Sequence, residues 1–220
     1  MNKMNKKKFA RLRGKMVKSQ LLNRGISDAR VIKAIGSIPR EEFVLARYRN
    51  QAYIDGPLPI GFDQTISQPY VVALMCQLLK LNGKERVLDV GTGSGYQAAI
   101  LSLLVEKVVS IERIPQLAKQ AKEKFKKLGF RNIRVVIGNG SMGFKKEAPF
   151  KAIVCGAASK TIPKPWREQL ASGGRIVLPL KDKDGYQELV RVTKRNDRFF
   201  REEFGGVVFV PLITEENGNL

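Results

Sequence analysis

The pattern of apolar and polar residues divides the chain into a helical front and an alternating back. Phe9, Leu12 and Met16 recur at helical spacing within residues 1–18, which predicts a helix that packs one apolar stripe onto the domain. Ser27 and Asp28 form a good N-cap pair for a second helix reaching about residue 35, where Gly36 and Pro39 stop it. Gly56, Pro57, Pro59, Gly61 and Pro69 break any regular period, so residues 50–69 read as an irregular loop of the kind that often carries function. Proline then suits the first turn of a helix over 69–80, with Val71, Val72, Met75, Leu78 and Leu79 on its apolar face.

From residue 86 onward the period switches back and forth. Short apolar runs at 86–90, 107–111, 132–137 and 152–155 predict strands. Segments 97–104, 115–128 and 165–170 predict the helices after the first, second and fourth of them. Such alternation implies βαβ units and a parallel sheet with helices on both faces. Three further strands, at 174–180, 187–193 and 206–210, have no helix between them, so an antiparallel edge is expected. The expected fold is α/β and Rossmann-like. It forms a single domain over 1–220, with a helical and loop region (about 1–80) capping the substrate site of a cofactor-binding core (about 81–220).

Charge changes this picture little. Forty Lys and Arg face twenty Asp and Glu, a formal net charge of +20. That field attracts anions without identifying them. Residues 1–18 hold eight of the basic residues and no acid, a run that reads either as an arm for nucleic acid or a membrane surface or as the solvated face of the packed helix. The chain contains no histidine, so its chemistry must proceed without imidazole. Cys76 and Cys155 form no CxxC pair, which suits a reduced, cytoplasmic setting. No apolar stretch approaches the ~20 residues of a membrane span, and no apolar h-region follows the basic start.

The sharpest local signal is Asp89-Val90-Gly91-Thr92-Gly93-Ser94-Gly95, between a strand and a helix. Its glycines allow a tight turn and close approach of a ligand to the backbone. A dinucleotide loop would read G-x-G-x-x-G under a pyrophosphate, but here the third glycine comes one residue early. An acid two residues before the first glycine suits a cationic sulfonium ligand, S-adenosyl-L-methionine, better than a phosphate. Glu112 ends the next strand, where an acid accepts from ribose hydroxyls. Gly138-Asn139-Gly140 follows the third strand and is expected to line the adenine. The expected cofactor residues are therefore Asp89, Gly91, Gly93, Gly95, Glu112, Asn139 and Gly140.

These residues resemble those of the protein-L-isoaspartate(D-aspartate) O-methyltransferases from about residue 40 to 212. Beside the glycine loop, the resemblance rests on Pro57-Leu58-Pro59-Ile60-Gly61, Gln64-Thr65-Ile66-Ser67, Tyr96-Gln97-Ala98-Ala99, Gly173-Gly174-Arg175 and Val208-Phe209-Val210-Pro211-Leu212. The glycine loop is widespread among methyltransferases; the Gln64–Ser67 and late segments are selective. The resemblance implies a class I S-adenosylmethionine-dependent fold and methyl transfer to the free α-carboxylate of isoaspartyl residues in damaged proteins and peptides. The ester then closes to a succinimide that can reopen as aspartate. It implies Ser67 as the active-site residue, with Thr65, Ile66 and Tyr70 near the substrate. Ser67 alone reads equally well as a helix N-cap. The family often has His at the position of Tyr70, Asp at that of Asn139 and an acid at that of Lys151, so turnover and affinity are the properties these departures touch.

A carboxylate at neutral pH is already ionised, so the reaction requires no base. The enzyme is expected to be a cytoplasmic monomer with no obligatory nucleic acid and no membrane partner. Two alternatives are an RNA methyltransferase, suggested by the +20 charge, and a non-catalytic module that binds S-adenosylmethionine or nucleic acid, suggested by Tyr70 and Asn139.

Overall fold

The structure, a computed structural model, describes residues 3–196 and 198–214. Helix α1 (Lys3–Met16) runs into a π-helical turn at Val17–Leu21. Its stripe behaves as expected: Phe9 and Met16 are buried and Leu12 packs beside them. On the adjoining face Arg13 reaches inward. Its Nε donates to the Gly36 carbonyl (2.8 Å) and its Nη1 to the Tyr53 hydroxyl (3.1 Å), which in turn donates to the buried Glu41 carboxylate. Helix α2 (Ala29–Ser37) starts where its cap predicts, with the Asp28 side chain accepting from Arg30 N.

The expected loop at 50–69 is corrected. It contains a hairpin of β1 (Leu58–Gly61) and β2 (Gln64–Ile66). The residues that look like breakers are its devices. Gly61 sits at φ 93° beside the register shift, and Phe62 and Asp63 form a two-residue turn with φ 53° and 55°. Two left-handed central residues match the right-handed twist of the flanking strands. Helix α3 (Pro69–Leu78) follows, with Pro69 in its first turn.

The main sheet has seven strands: β3 (Arg86–Val90), β4 (Lys107–Glu112), β5 (Ile133–Ile137), β6 (Phe150–Cys155), β7 (Leu170–Lys181), β8 (Gln187–Arg195) and β9 (Arg198–Gly206). Their spatial order is β5-β4-β3-β6-β7-β8-β9, parallel from β5 to β7 and antiparallel from β7 to β9. Helices α4 (Tyr96–Ser102), α5 (Pro115–Leu128) and α6 (Lys164–Gln169) connect the parallel strands. Apolar side chains of the sheet enter two clusters. One includes Val87, Val108, Val154 and Val177 and joins the α1–α3 region; the other holds Leu88, Val109, Ile153 and Ile176. This two-sided burial explains why the parallel strands read as continuous apolar runs.

The last strand is also corrected. Residues 207–210 are not strand; β9 ends at Gly206. Its sequence, RFFREEFGG, is charged and mostly exposed, as suits an edge strand that must not recruit another chain. Hydrophobic alternation therefore points past it to the more apolar segment that follows. Lys151 lies away from the cavity, donating to the Ser172 carbonyl at 2.7 Å.

Candidate active site

Strand order reverses between β3 and β6, and a crevice beyond the carboxyl ends of strands at such a point is where α/β sheets bind ligands. A cavity of about 910 Å³ occupies this place. Its floor contains Gly91, Gly93, Ile111, Glu112, Gly140 and Gly156. Its other wall is made by Thr65, Ser67, Gln68 and Val71, by Tyr186 and Gln187, and by residues 206–213.

The loop after β3 is pinned from below. Gly91 N and Thr92 N both donate to the Ile111 carbonyl (2.9 and 3.1 Å), and Gly156 N donates to the Val90 carbonyl (2.9 Å). Beneath it lies a closed polar chain. Gln97 Nε2 donates to Asp89 Oδ1 (2.9 Å), and Ser110 Oγ donates to Asp89 Oδ2 (2.7 Å). The Thr92 and Ser110 hydroxyls lie 2.6 Å apart, and since Ser110 gives its proton to Asp89, Thr92 is the donor. Asp89 is fully buried, and that burial pushes its carboxyl up to about 6, against the hydrogen bonds from Ser110 and Gln97 and with the nearby Glu112 charge adding to the rise.

Glu112 is the acid on the floor of the cavity. Its Oε2 accepts from Gly93 N (2.8 Å) and its Oε1 from Ile114 N (2.9 Å). It thus ties the glycine loop to the start of α5 instead of pairing with Arg113. A carboxylate offers about four lone-pair sites, so both oxygens keep capacity for two hydroxyls of a ligand.

The expected cofactor residues divide into three groups. Gly91, Gly93, Glu112 and Gly140 line the cavity. Asp89 does not; it lies behind the loop as the buried centre of the polar chain, a correction to its reading as a ligand contact. Gly95 is also corrected. Its φ is 89°, and a Cβ there would stand 2.7 Å from the Phe125 ring, so this glycine serves packing of α4 against α5. Asn139 lies beside the cavity lining, and its Oδ1 accepts from Ser141 N (3.0 Å) and Ser141 Oγ (2.8 Å), capping a short helical turn. That oxygen is committed to the turn, which leaves the amide NH₂ as the group able to address an adenine.

On the substrate side, Thr65 and Ser67 line the cavity. Ser67 is not the cap of α3; the N-cap position is Gln68, without a side-chain cap. The Ser67 backbone is held instead by Arg40, whose Nη2 donates to its carbonyl (2.8 Å) while Nε donates to the Ala52 carbonyl (2.8 Å). Arg40 is fully buried, with its guanidinium 4.7 Å from the Tyr96 ring centre, and desolvation lowers its pKa. Ile66 and Tyr70 are corrected. Ile66 is buried opposite Leu58 in the hairpin. Tyr70 is turned away from the cavity, its ring stacked under the Arg24 guanidinium at 3.7 Å, and Val71, the next position around α3, lines the cavity in its place.

Sequence reasoning missed Gln68, Val71, Gly185, Tyr186 and Gln187 as site residues, and the late segment entered only through the resemblance. Gln187 fastens that segment: its Oε1 accepts from Phe209 N (2.7 Å) and its Nε2 donates to the Phe209 carbonyl (3.1 Å). Nothing in local sequence marks such a pairing across 22 residues.

Taken together, the lining residues carry two acids, Asp63 and Glu112, and one base, Arg113. Asp89 lies just beneath them. A chain with net charge +20 has thus built a locally negative cavity. That suits a cationic ligand with vicinal hydroxyls and disfavours a pyrophosphate.

Comparison with known proteins agrees. The sequence model described as "Protein-L-isoaspartate(D-aspartate) O-methyltransferase (PCMT)" matches residues 12–217. The chain is 48% identical over 206 residues to a Protein-L-isoaspartate O-methyltransferase 2 of Marinobacter nauticus, covering 93% of this chain and 94% of that one. It is 49% identical over 205 residues to a Protein-L-isoaspartate O-methyltransferase 1 of Syntrophobacter fumaroxidans, covering 93% and 95%. Among solved structures, a putative protein-L-isoaspartate O-methyltransferase from Plasmodium falciparum in complex with S-adenosyl-L-homocysteine superimposes with a TM-score of 0.80 at 26% identity, covering 91% of this chain and 98% of that one. The chain belongs to the protein-L-isoaspartate(D-aspartate) O-methyltransferase family.

Proposed function

We propose that this enzyme uses its cavity to methylate the free α-carboxylate of isoaspartyl residues in damaged proteins and peptides, with Ser67 orienting that carboxylate. The observation that carries the reading is the negative floor of the cavity, Glu112 over Asp89, facing the wall that holds Ser67. When bound, S-adenosylmethionine supplies the electrophilic methyl group. Gly91, Gly93, Glu112 and Gly140, which line the cavity, would hold it, Glu112 through ribose hydroxyls.

The chain's own residues then have three tasks. The first is orientation: the Ser67 hydroxyl donates one hydrogen bond to the acceptor carboxylate, and Arg40 fixes the backbone from which that hydroxyl projects. The second is to leave the nucleophile reactive. Arg113 is the one cation among the lining residues, so no ring of lysines or arginines blunts the carboxylate. The third is exclusion of water, for which Val71, Phe209 and Leu212 supply apolar surface. Positioning of this kind can supply on the order of 7–11 kcal/mol. No proton moves, which is why a chain with no histidine can perform the reaction.

The same reading takes the enzyme as a cytoplasmic monomer. Its two cysteines are free and buried, which fits a reducing compartment. Among the described residues no helix is long and apolar enough to cross a membrane. The test is methyl transfer to matched isoaspartyl and aspartyl peptides. A strong preference for the isoaspartyl peptide is expected; equal rates, or transfer to tRNA alone, would refute the assignment.

A further inference from the structure

Helix α1 breaks three rules of helix electrostatics at once. It has no acid in its first turn, where the positive end of the macrodipole favours one. It has no acid anywhere in its length. Lys7, Arg11 and Lys15 follow one another at i,i+4 spacing on one face, and Lys18 continues the row into the π-helical turn. Like charges at that spacing destabilise a helix. All four side chains are exposed, and none forms a hydrogen bond or ion pair with a described residue.

Helix α5 shows what a solvated basic helix looks like. Its cations Lys119, Lys122 and Lys126 are interrupted by Glu123, and Lys126 and Lys127 stand in the last turn, where the dipole favours them. Lys127 also pairs with Glu42 at 2.9 Å. The row on α1 has neither an interrupting acid nor an ion pair with a described residue; Lys15 alone stands in a last turn. It is also held rigidly. Phe9 and Met16 are buried, Arg13 is bonded to Gly36 and Tyr53, and Lys8 donates to Asn50 Oδ1 at 3.1 Å.

We propose that the outer face of α1 binds the phosphate backbone of nucleic acid, without sequence preference and independently of methyl transfer. A rise of about 1.5 Å per residue spaces Lys7, Arg11 and Lys15 at intervals of about 6 Å along a straight row, suited to a polymer that repeats its negative charge. The face offers no aromatic ring for stacking and no base-reading amide, so contacts are confined to phosphate. A membrane surface fits less well. An interfacial helix inserts its apolar face, and here that face is already buried in the protein.

The experiment titrates the full chain with a fluorescently labelled, short mixed-sequence DNA duplex across about 50–200 mM salt. Two quadruple variants accompany it: K7Q/R11Q/K15Q/K18Q on α1, and the charge-matched K119Q/K122Q/K126Q/K146Q. The α1 variant is expected to lose at least about tenfold in affinity at the low-salt end and to flatten the slope of log K against log salt by about 3–4, near 0.9 per phosphate contact. The matched variant changes markedly less. Both keep wild-type methyl transfer to a short isoaspartyl peptide, a readout that would expose a folding defect. The proposal is overturned if the duplex is not bound, or if the two variants lose affinity equally. It is also overturned if poly-L-glutamate or phosphatidylserine vesicles bind the α1 face as tightly as the duplex does.

Discussion

The two walls of the cavity are built on different principles. The cofactor wall comes from the carboxyl ends of parallel strands, and its parts are close in sequence: the glycine loop, Glu112 and Gly140 lie within 50 residues. Each is fixed by backbone bonds or a buried polar chain. The substrate wall gathers the hairpin, the start of α3, the β7–β8 turn and the segment after β9, from residue 57 to residue 213. It is fastened by a few side chains, chiefly Arg40 under Ser67 and Gln187 on Phe209. The lesson is that cofactor binding should be coupled tightly to stability, whereas substrate handling should be adjustable without unfolding the chain.

The largest effect expected is at Gly95. In Gly95→Ala a methyl group would meet the Phe125 ring from a left-handed backbone, so a loss of about 2–4 kcal/mol in chemical denaturation is expected. Phe125→Leu should recover part of it, because the clash is with that side chain; no recovery would mean that backbone strain alone is responsible.

Asp89 provides the next. Its folded-state value, about 6, lies above its ordinary value of 3.8, so the folded chain keeps a proton that the unfolded chain has released. Stability therefore falls as pH rises from about 4 to 6, by an amount of order 3 kcal/mol from this group. Denaturation of wild type and Asp89→Asn across that range should show the difference between them changing in this sense. A constant difference would place the carboxylate in a more polar setting than its burial implies.

Glu112→Gln should weaken S-adenosylmethionine binding by about 2 kcal/mol, roughly thirtyfold, by replacing charge-assisted bonds with neutral ones. It should also lower stability, because one loop amide loses its acceptor. Ser67→Ala is the contrasting case. We expect kcat to fall roughly fivefold, about 1 kcal/mol, with cofactor affinity and stability nearly unchanged. A fall in cofactor affinity instead would merge the two walls into one.

The same contrast explains what could be read from sequence. The parallel strands were legible because both faces are buried, which makes them continuous apolar runs, and the glycine loop because a tight turn requires its residue types. Ile66 and Tyr70 were misplaced because motif proximity says nothing about which way a side chain turns. On α3 one step along the chain rotates the side chain by about 100°, enough to give the cavity to Val71 and to stack Tyr70 under Arg24. Asp89 and Gly95 were recognised as special but assigned to the ligand, when the polar chain and the Phe125 ring are what require them. The hairpin was hidden because proline and glycine signal both breakage and tight pairing. The Gln187–Phe209 clamp was illegible because only the tertiary fold brings its partners together.

The central claim is that a locally negative floor in a strongly basic protein selects a sulfonium ligand over a phosphate. Calorimetric titration with S-adenosylmethionine and, separately, with a nicotinamide dinucleotide tests it most directly. Saturable binding of the first, weakened roughly thirtyfold by Glu112→Gln, and none of the second is the predicted result. Preference for the dinucleotide, or sulfonium binding indifferent to Glu112, would contradict it.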